Sequence, residues 1–187
     1  MLRPAARVPC LRAPVTSTLG PTTHPRMTVL APMCPEHFER FRSEVVASYA
    51  QDNVVALRWK ESGALERSSS EFDRLLPDGL ATPEHHLHEI QDGPGGQTVG
   101  YLWFMVSASH DERWAFLYNI RVFPEFRGRG HAGAAMKLFE RRAIELEAAV
   151  IGLHVFAFNS TAQALYRSLG YGISGFNMLK RLPPSGA

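Results

Sequence analysis

From Met27 the chain alternates weakly between apolar and polar positions, in MTVLAPM, which predicts a first edge strand. Pro35 then stands where the first turn of a helix tolerates a residue without an N–H. Phe38, Phe41, Val45, Val46 and Tyr49 recur at helical spacing, so a helix follows, with Glu39, Arg40 and Arg42 left to solvent. A second helix runs through SGALERSSSEFDRLLPDG, with Leu65, Phe72, Leu75 and Leu76 as its apolar stripe and Pro77 and Gly79 as its stop. Ser68, Ser69 and Ser70 read as its polar face. The intervening AQDNVVALRWKE has no assignable period.

Three strands come next, HHLHEIQDG, QTVGYLWFMVSAS and WAFLYNIRVFPE, divided by the turn-rich DGPGGQ and by HDER. Short loops between consecutive strands predict antiparallel pairing. Ala132, Ala135, Met136, Phe139, Ala143 and Leu146 then form the apolar face of a helix reaching about Ala148, with Lys137, Glu140, Arg141 and Glu147 outward. The short turn after it leads into VIGLHVFAF, a buried strand parallel to FLYNIRVF through a strand, helix, strand crossover.

Composition narrows the class. The chain has 187 residues, 45% hydrophobic and 20% charged, enough for one globular domain with a real core. Twenty Lys and Arg against 18 Asp and Glu give a formal charge of +2, far from the one-signed surface of a dedicated nucleic-acid binder. No apolar run approaches the ~20 residues that span a bilayer, so neither nucleic acid nor membrane is an expected partner. Cys10 and Cys34 are too few for a disulfide framework or a zinc site, and a cytoplasmic location is expected. Residues 1–26 hold four arginines, five prolines and no acidic residue. They read as a disordered extension, a segment upstream of a true start at Met27, or a transit peptide, the prolines weighing against the last. His86 and His88 share a strand face, and although Glu84 and Glu89 flank them, no ligand set is completed, so no metal is expected.

The chemistry concentrates in FRGRGHAGAAMKLFE, residues 126–140. The predicted crossover places this loop after the carboxyl end of a strand and at the amino end of a helix, where unpaired N–H groups and the helix dipole make an anion site. Gly128, Gly130 and Gly133 match G-x-G-x-x-G, but the following strand ends in Phe156, Ala157, Phe158 and Asn159 instead of the acidic residue that a dinucleotide ribose requires. A P-loop also fails, because Ala134 and Ala135 stand where Lys and Ser or Thr belong.

Over Met27 to Leu182 the chain resembles the GCN5-related N-acetyltransferase (GNAT) superfamily. Arg127, Gly128, Arg129, Gly130, His131 and Ala132 fit its Q/R-x-x-G-x-G/A signature, NIRVFPEFRG looks like its fourth strand, and NSTAQALYRSLGY is similar to its asparagine, "LY" and "LG-aromatic" string. The resemblance implies an α/β (α+β) fold: a mixed, mostly antiparallel sheet of about six to seven strands flanked by about four helices, with a splayed parallel strand pair joined by the cofactor-binding helix. It implies one acetyltransferase domain over residues 27–182 and a tail over 183–187. Residues 127–132 would surround the acetyl-coenzyme A pyrophosphate through backbone amides, and Ile120 and Val122 would line the pantetheine and acetyl group.

By itself Asn159 is a good helix N-cap, Gly170 a helix stop, and Tyr166 a core aromatic sharing a stripe with Ala162, Leu165 and Leu169. The resemblance adds a cofactor contact for Asn159 and, for Tyr166, protonation of the departing thiolate. It also implies direct transfer of acetyl from acetyl-CoA to an amine, on a small molecule or a peptide, without a metal; a homodimer is left open. Where a branch of the family carries a catalytic glutamate, five residues before the asparagine, this chain has His154, a candidate general base. Water or a carboxylate such as Glu89 are alternatives. The missing glutamate also motivates a different class, a non-catalytic acyl-CoA sensor. The acceptor regions, Tyr49 to Trp59 and Gly175 to Asn177, carry no readable signature.

Overall fold

The computed structural model describes residues 27–109, 112–180 and 182; the extension over 1–26, the tail over 183–187 and half of the HDER turn lie outside the described residues. The elements in chain order are β1 (Thr28–Pro32), α1 (Pro35–Val55), α2 (Ala64–Leu75), β2 (His85–Asp92), β3 (Thr98–Ser109), β4 (Glu112–Val122), α3 (His131–Glu145), β5 (Val150–Leu153) and α4 (Ser160–Ser168). The strands form a single sheet in the order β1-β2-β3-β4-β5. β2 with β3 and β3 with β4 are antiparallel and β4 with β5 is parallel, as the short turns and the crossover through α3 predict, and β1 pairs antiparallel with β2 at the sheet edge. Among the described residues no helix is long and apolar enough to cross a membrane.

The chain divides into two compact units. Of the described residues, the first contains those up to Phe41 and those from Leu76 to Leu153, and so the whole sheet with α3. Period-two alternation sends Phe104, Val106, Ala115 and Leu117 to the α3 side, where the Phe104 and Phe139 rings lie 4.7 Å apart. His86 and His88 do share a face, and both rings stack on Phe104. The opposite face receives Phe41 of α1, edge-on to Tyr101 at 5.5 Å and Trp103 at 6.1 Å. Gly100 is required by close approach: a Cβ there would collide with the carbonyl oxygen of Arg121 on β4.

The second unit contains Arg42–Leu75 and the described residues from His154 onward. The segment without a readable period continues α1 to Val55 and then turns, with Trp59 buried edge-on to Tyr49 at 5.3 Å. In α2 the expected stripe is partly wrong. Leu65 is 59% exposed, whereas Ser68 is buried and its hydroxyl donates to the Val46 carbonyl at 2.8 Å. A serine satisfied by one α1 carbonyl packs closer than leucine allows, and that partner lies 22 residues away. Arg42 donates to both carboxylate oxygens of Asp73 and to Ser69, so only part of the serine run is a free polar face.

Five strands are described where about six to seven are expected. VIGLHVFAF is strand only through Leu153, and 171–180 forms none. The register supplies a reason for the first difference. β4 pairs with β5 from Trp114 to Leu117, and immediately beyond, at Tyr118, a β-bulge opposite Trp103 and Phe104 bends β4 and increases its twist. With no straight neighbour to ladder against, β5 ends and His154 is exposed.

Candidate functional site

β4 supplies the first part of the site. Its β3-facing edge is paired along its length, but its other edge is paired only as far as Leu117, so no described strand covers the backbone from Tyr118 to Val122 on that side. Those N–H and C=O groups can hydrogen-bond an extended amide-bearing chain laid along them. Ile120 and Val122 stand in this stretch, opposite Leu102 and Gly100.

The strand then leads through Pro124–Phe126, a 3-10 turn, into the glycine-rich loop. Gly128 has φ 72° and Gly130 φ 84°, left-handed values that exclude most L residues, and a Cβ on either would meet no protein atom within 4 Å. The requirement is therefore conformational, and the space beside both glycines is open. Gly130 is the N-cap of α3 and brings no side-chain cap, so the N–H groups of the first turn stay available to an outside acceptor. Arg127 bonds the Val122 carbonyl through Nε at 3.1 Å, and Arg129 bonds the Glu125 carbonyl at 2.7 Å with its guanidinium over the Phe126 ring. Both guanidiniums brace the loop while remaining on exposed residues. His131 behaves differently from its neighbours. Its side chain is buried, with Nδ1 3.0 Å from Thr28 Oγ1 on β1, so only its main chain is left for a ligand. Ala132 follows on the first turn, half-buried.

In the second unit, Asn159 caps α4 as expected, its side chain accepting from the Ala162 N–H at 3.1 Å. Tyr166 is buried, its ring 5.8 Å from that of Tyr171, and burial raises its pKa above the ordinary phenol value. The proton therefore stays on the hydroxyl at neutral pH. His154 is not a core histidine: it is exposed, edge-on to Phe156 at 4.9 Å. Partial desolvation and the positive Arg58 lower its pKa, which keeps the imidazole neutral at pH 7.

The sheet face that receives Phe41 carries groups that no local motif announces. Trp103 donates its indole N–H to Nδ1 of His85 at 2.9 Å, which places the neutral imidazole's proton on Nε2. The Tyr118 ring stacks on Trp103 at 4.6 Å. Asn119, the cross-strand partner of Trp103, has a buried Oδ1 with no hydrogen-bond partner among the described residues. The only signal for this cluster was the density of aromatics in two strands, since its pairings depend on register. Glu89 is present on the same sheet but is fully engaged. The Cys34 N–H and His37 Nδ1 bond Oε1 at 3.1 and 2.6 Å, and Thr98 and Gln91 bond Oε2 at 2.7 and 3.3 Å. Burial alone would raise its pKa, yet these hydrogen bonds outweigh it and the net shift is downward. A carboxylate so held is an anchor between β2 and the start of α1, which removes it as a free base. Among the described residues no three His, Cys, Asp or Glu side chains gather as a metal site.

A mixed sheet with one parallel pair, whose longer strand β4 runs on past the end of β5 toward a glycine-capped helix start, is the arrangement described, and residues 52–171 match the model of the Acetyltransferase (GNAT) family, to which the chain belongs. Two proteins of Bacillus subtilis (strain 168) are similar along nearly their whole length. The uncharacterized N-acetyltransferase YdgE is 35% identical over 153 residues, 82% of this chain and 97% of YdgE. The uncharacterized N-acetyltransferase YycN is 34% identical over 157 residues, 83% of this chain and 100% of YycN. The crystal structure of the putative acetyltransferase YycN superposes with a TM-score of 0.79 at 33% identity, covering 83% of this chain and 99% of that one.

Proposed function

We propose that this GNAT acetyltransferase moves an acetyl group from acetyl-CoA to a primary amine by direct attack. The observation that carries the reading is the uncovered β4 edge from Tyr118 to Val122 leading into a helix start whose cap is a left-handed glycine. Main-chain groups at Ile120 and Val122 bind the pantetheine arm. The N–H groups of residues 127–132 hold the pyrophosphate, with Arg127 and Arg129 adding positive charge. Asn159 contacts the cofactor through the side-chain atoms its capping bond leaves over. Bound acetyl-CoA supplies a thioester carbonyl that an amine nitrogen can attack, forming C–N and releasing C–S.

Tyr166 gives its hydroxyl proton to the departing sulfur, a task suited to a phenol that burial keeps protonated, and regains a proton as the acylated nitrogen sheds its second one through solvent. A substrate ammonium, with pKa near 10.4, must lose a proton before attack. His154 accepts it, because its lowered pKa leaves the imidazole unprotonated at pH 7 and a ring nitrogen lone pair open.

Thiol release from acetyl-CoA over a panel of amines, together with calorimetric cofactor binding, tests the reading. Tyr166→Phe is expected to slow turnover roughly 100-fold while leaving cofactor affinity nearly unchanged. An unchanged rate would remove Tyr166 as the acid. Tight cofactor binding with no thiol release on any amine would instead favour an acyl-CoA sensor.

A further inference from the structure

Between the end of β1, the turn at Leu80, the start of β2 and the second half of α3 lies an open pocket of about 300 Å³. Pro32, Met33, Leu80 and Leu87 form its apolar part, and His86, His88 and Arg142 line it with nitrogen. Among the described residues no carboxylate lines it. The Phe104 ring, stacked on both imidazoles at 4.8 and 5.7 Å, holds them in place. Two positions apart on one strand face, they stand roughly 7 Å from each other, a gap that one oxyanion with two ~2.8 Å hydrogen bonds fills. Burial, then the nearby Arg142, lowers the pKa of His86; burial, then His86 and Arg142, pushes that of His88 down to about 4. Both rings are therefore neutral at pH 7 and carry one N–H each. The buried Nδ1 of His88 lacks a partner among the described residues, so Nε2 is the nitrogen that this ring offers. Arg142 donates through Nη1 to Glu145 at 2.8 Å, an exposed pair that leaves Nη2 and Nε to donate elsewhere.

We infer that this pocket is a second ligand site, which takes a phosphate monoester borne on a small apolar body. His86, His88 and Arg142 each donate to one of the three terminal oxygens, and the body lies on Met33, Leu80 and Leu87. The site is distinct from the glycine-rich loop, because Arg142 is roughly 16 Å along α3 from the glycine-capped helix start. It does not depend on the acetyl-transfer reading. A metal ion does not suit the same residues: it would bring positive charge beside a guanidinium, and no lining carboxylate or thiolate would offset it. A carboxylate has two oxygens and one charge, so it leaves one of the three donors unmatched. A phosphate monoester brings three oxygens and close to two negative charges at pH 7.

Calorimetric titration of the full-length chain with phenyl phosphate tests the site, with saturating coenzyme A present to occupy the proposed pyrophosphate cradle. Saturable one-site binding is expected, tighter than that of inorganic phosphate or benzoate, with benzyl alcohol silent. Arg142→Gln keeps a donor and removes the charge at an exposed helix position, so the fold should hold in thermal unfolding while affinity falls roughly tenfold or more. His86→Leu should weaken binding as well. Three results overturn the assignment: no binding, benzoate or inorganic phosphate as tight as phenyl phosphate, or an affinity that Arg142→Gln leaves unchanged. None of them touches acetyl transfer. If coenzyme A itself does not bind, the transfer reading falls, and the same Arg142→Gln comparison decides the pocket alone.

Discussion

Thr28 on β1 and His131 on the first turn of α3 are joined by a 3.0 Å hydrogen bond between Oγ1 and Nδ1, across 103 residues of chain. The bond divides His131 between two tasks. Its side chain secures the helix start to the far edge of the sheet, and its main chain faces the glycine loop. Thr28→Val keeps the shape and removes the hydroxyl, so a buried imidazole nitrogen loses its partner. The expected loss is about 1–3 kcal/mol of stability in urea unfolding. An unchanged midpoint would show that the pair does not hold the helix start.

Gly130→Ala tests the cradle. The added methyl meets no protein atom, so the cost to the free protein is conformational, about 1–2 kcal/mol for a left-handed residue other than glycine. Under the proposed function, coenzyme A affinity falls further than this strain predicts, because the methyl occupies the open space beside the anion site. Calorimetry alongside thermal unfolding separates the two. Affinity unchanged at reduced stability would place the pyrophosphate elsewhere.

Glu89 predicts an acid-sensitive fold. Its folded pKa lies below the ordinary value, so in that window the unfolded chain binds the proton more readily. The contribution to stability is complete above the unfolded pKa of about 4.3 and is lost as pH falls through the lower folded value. Glu89→Gln should cost about 1–3 kcal/mol near neutrality and flatten the stability profile below pH ~5. An unaltered profile would mean that the four hydrogen bonds do not favour the charged form.

Arg58 and His154 make a prediction about rate. If His154 is the base, activity falls on the acid side as the imidazole protonates, at a pH below its ordinary 6.5. Arg58→Ala removes a positive charge that disfavours protonation, so the acid limb should move to higher pH. His154→Gln should abolish that limb and lower kcat. Full activity of His154→Gln at neutral pH would assign proton removal to water or to another group.

The site was legible in the sequence where it is built from neighbours in the chain. The glycines at 128 and 130, the Asn159 cap and the apolar face of α3 all depend on bonds or spacings within a few residues, and each is found in place. The Tyr118 bulge was not legible, because it exists only relative to Trp103 and Phe104 on another strand. Leu65 and Ser68 misled for the same reason. Helical period identifies a stripe about the axis, but the stripe that packs is selected by the partner, here the Val46 carbonyl.

The order and type of most elements and the loop conformation that needs glycine were set by the sequence alone, since these follow from local sterics and short hydrogen bonds; the family was legible there only as a resemblance carried by three motifs. Tertiary structure alone decided that His131 faces inward, that Glu89 is consumed as an anchor, that β5 stops at Leu153, and that Trp103, Tyr118 and Asn119 meet on one uncharged face. Each of those outcomes depends on strand register or on a partner many residues away. A change of register by one residue would send every side chain of the strand to the opposite face, and no local pattern encodes it for a single residue.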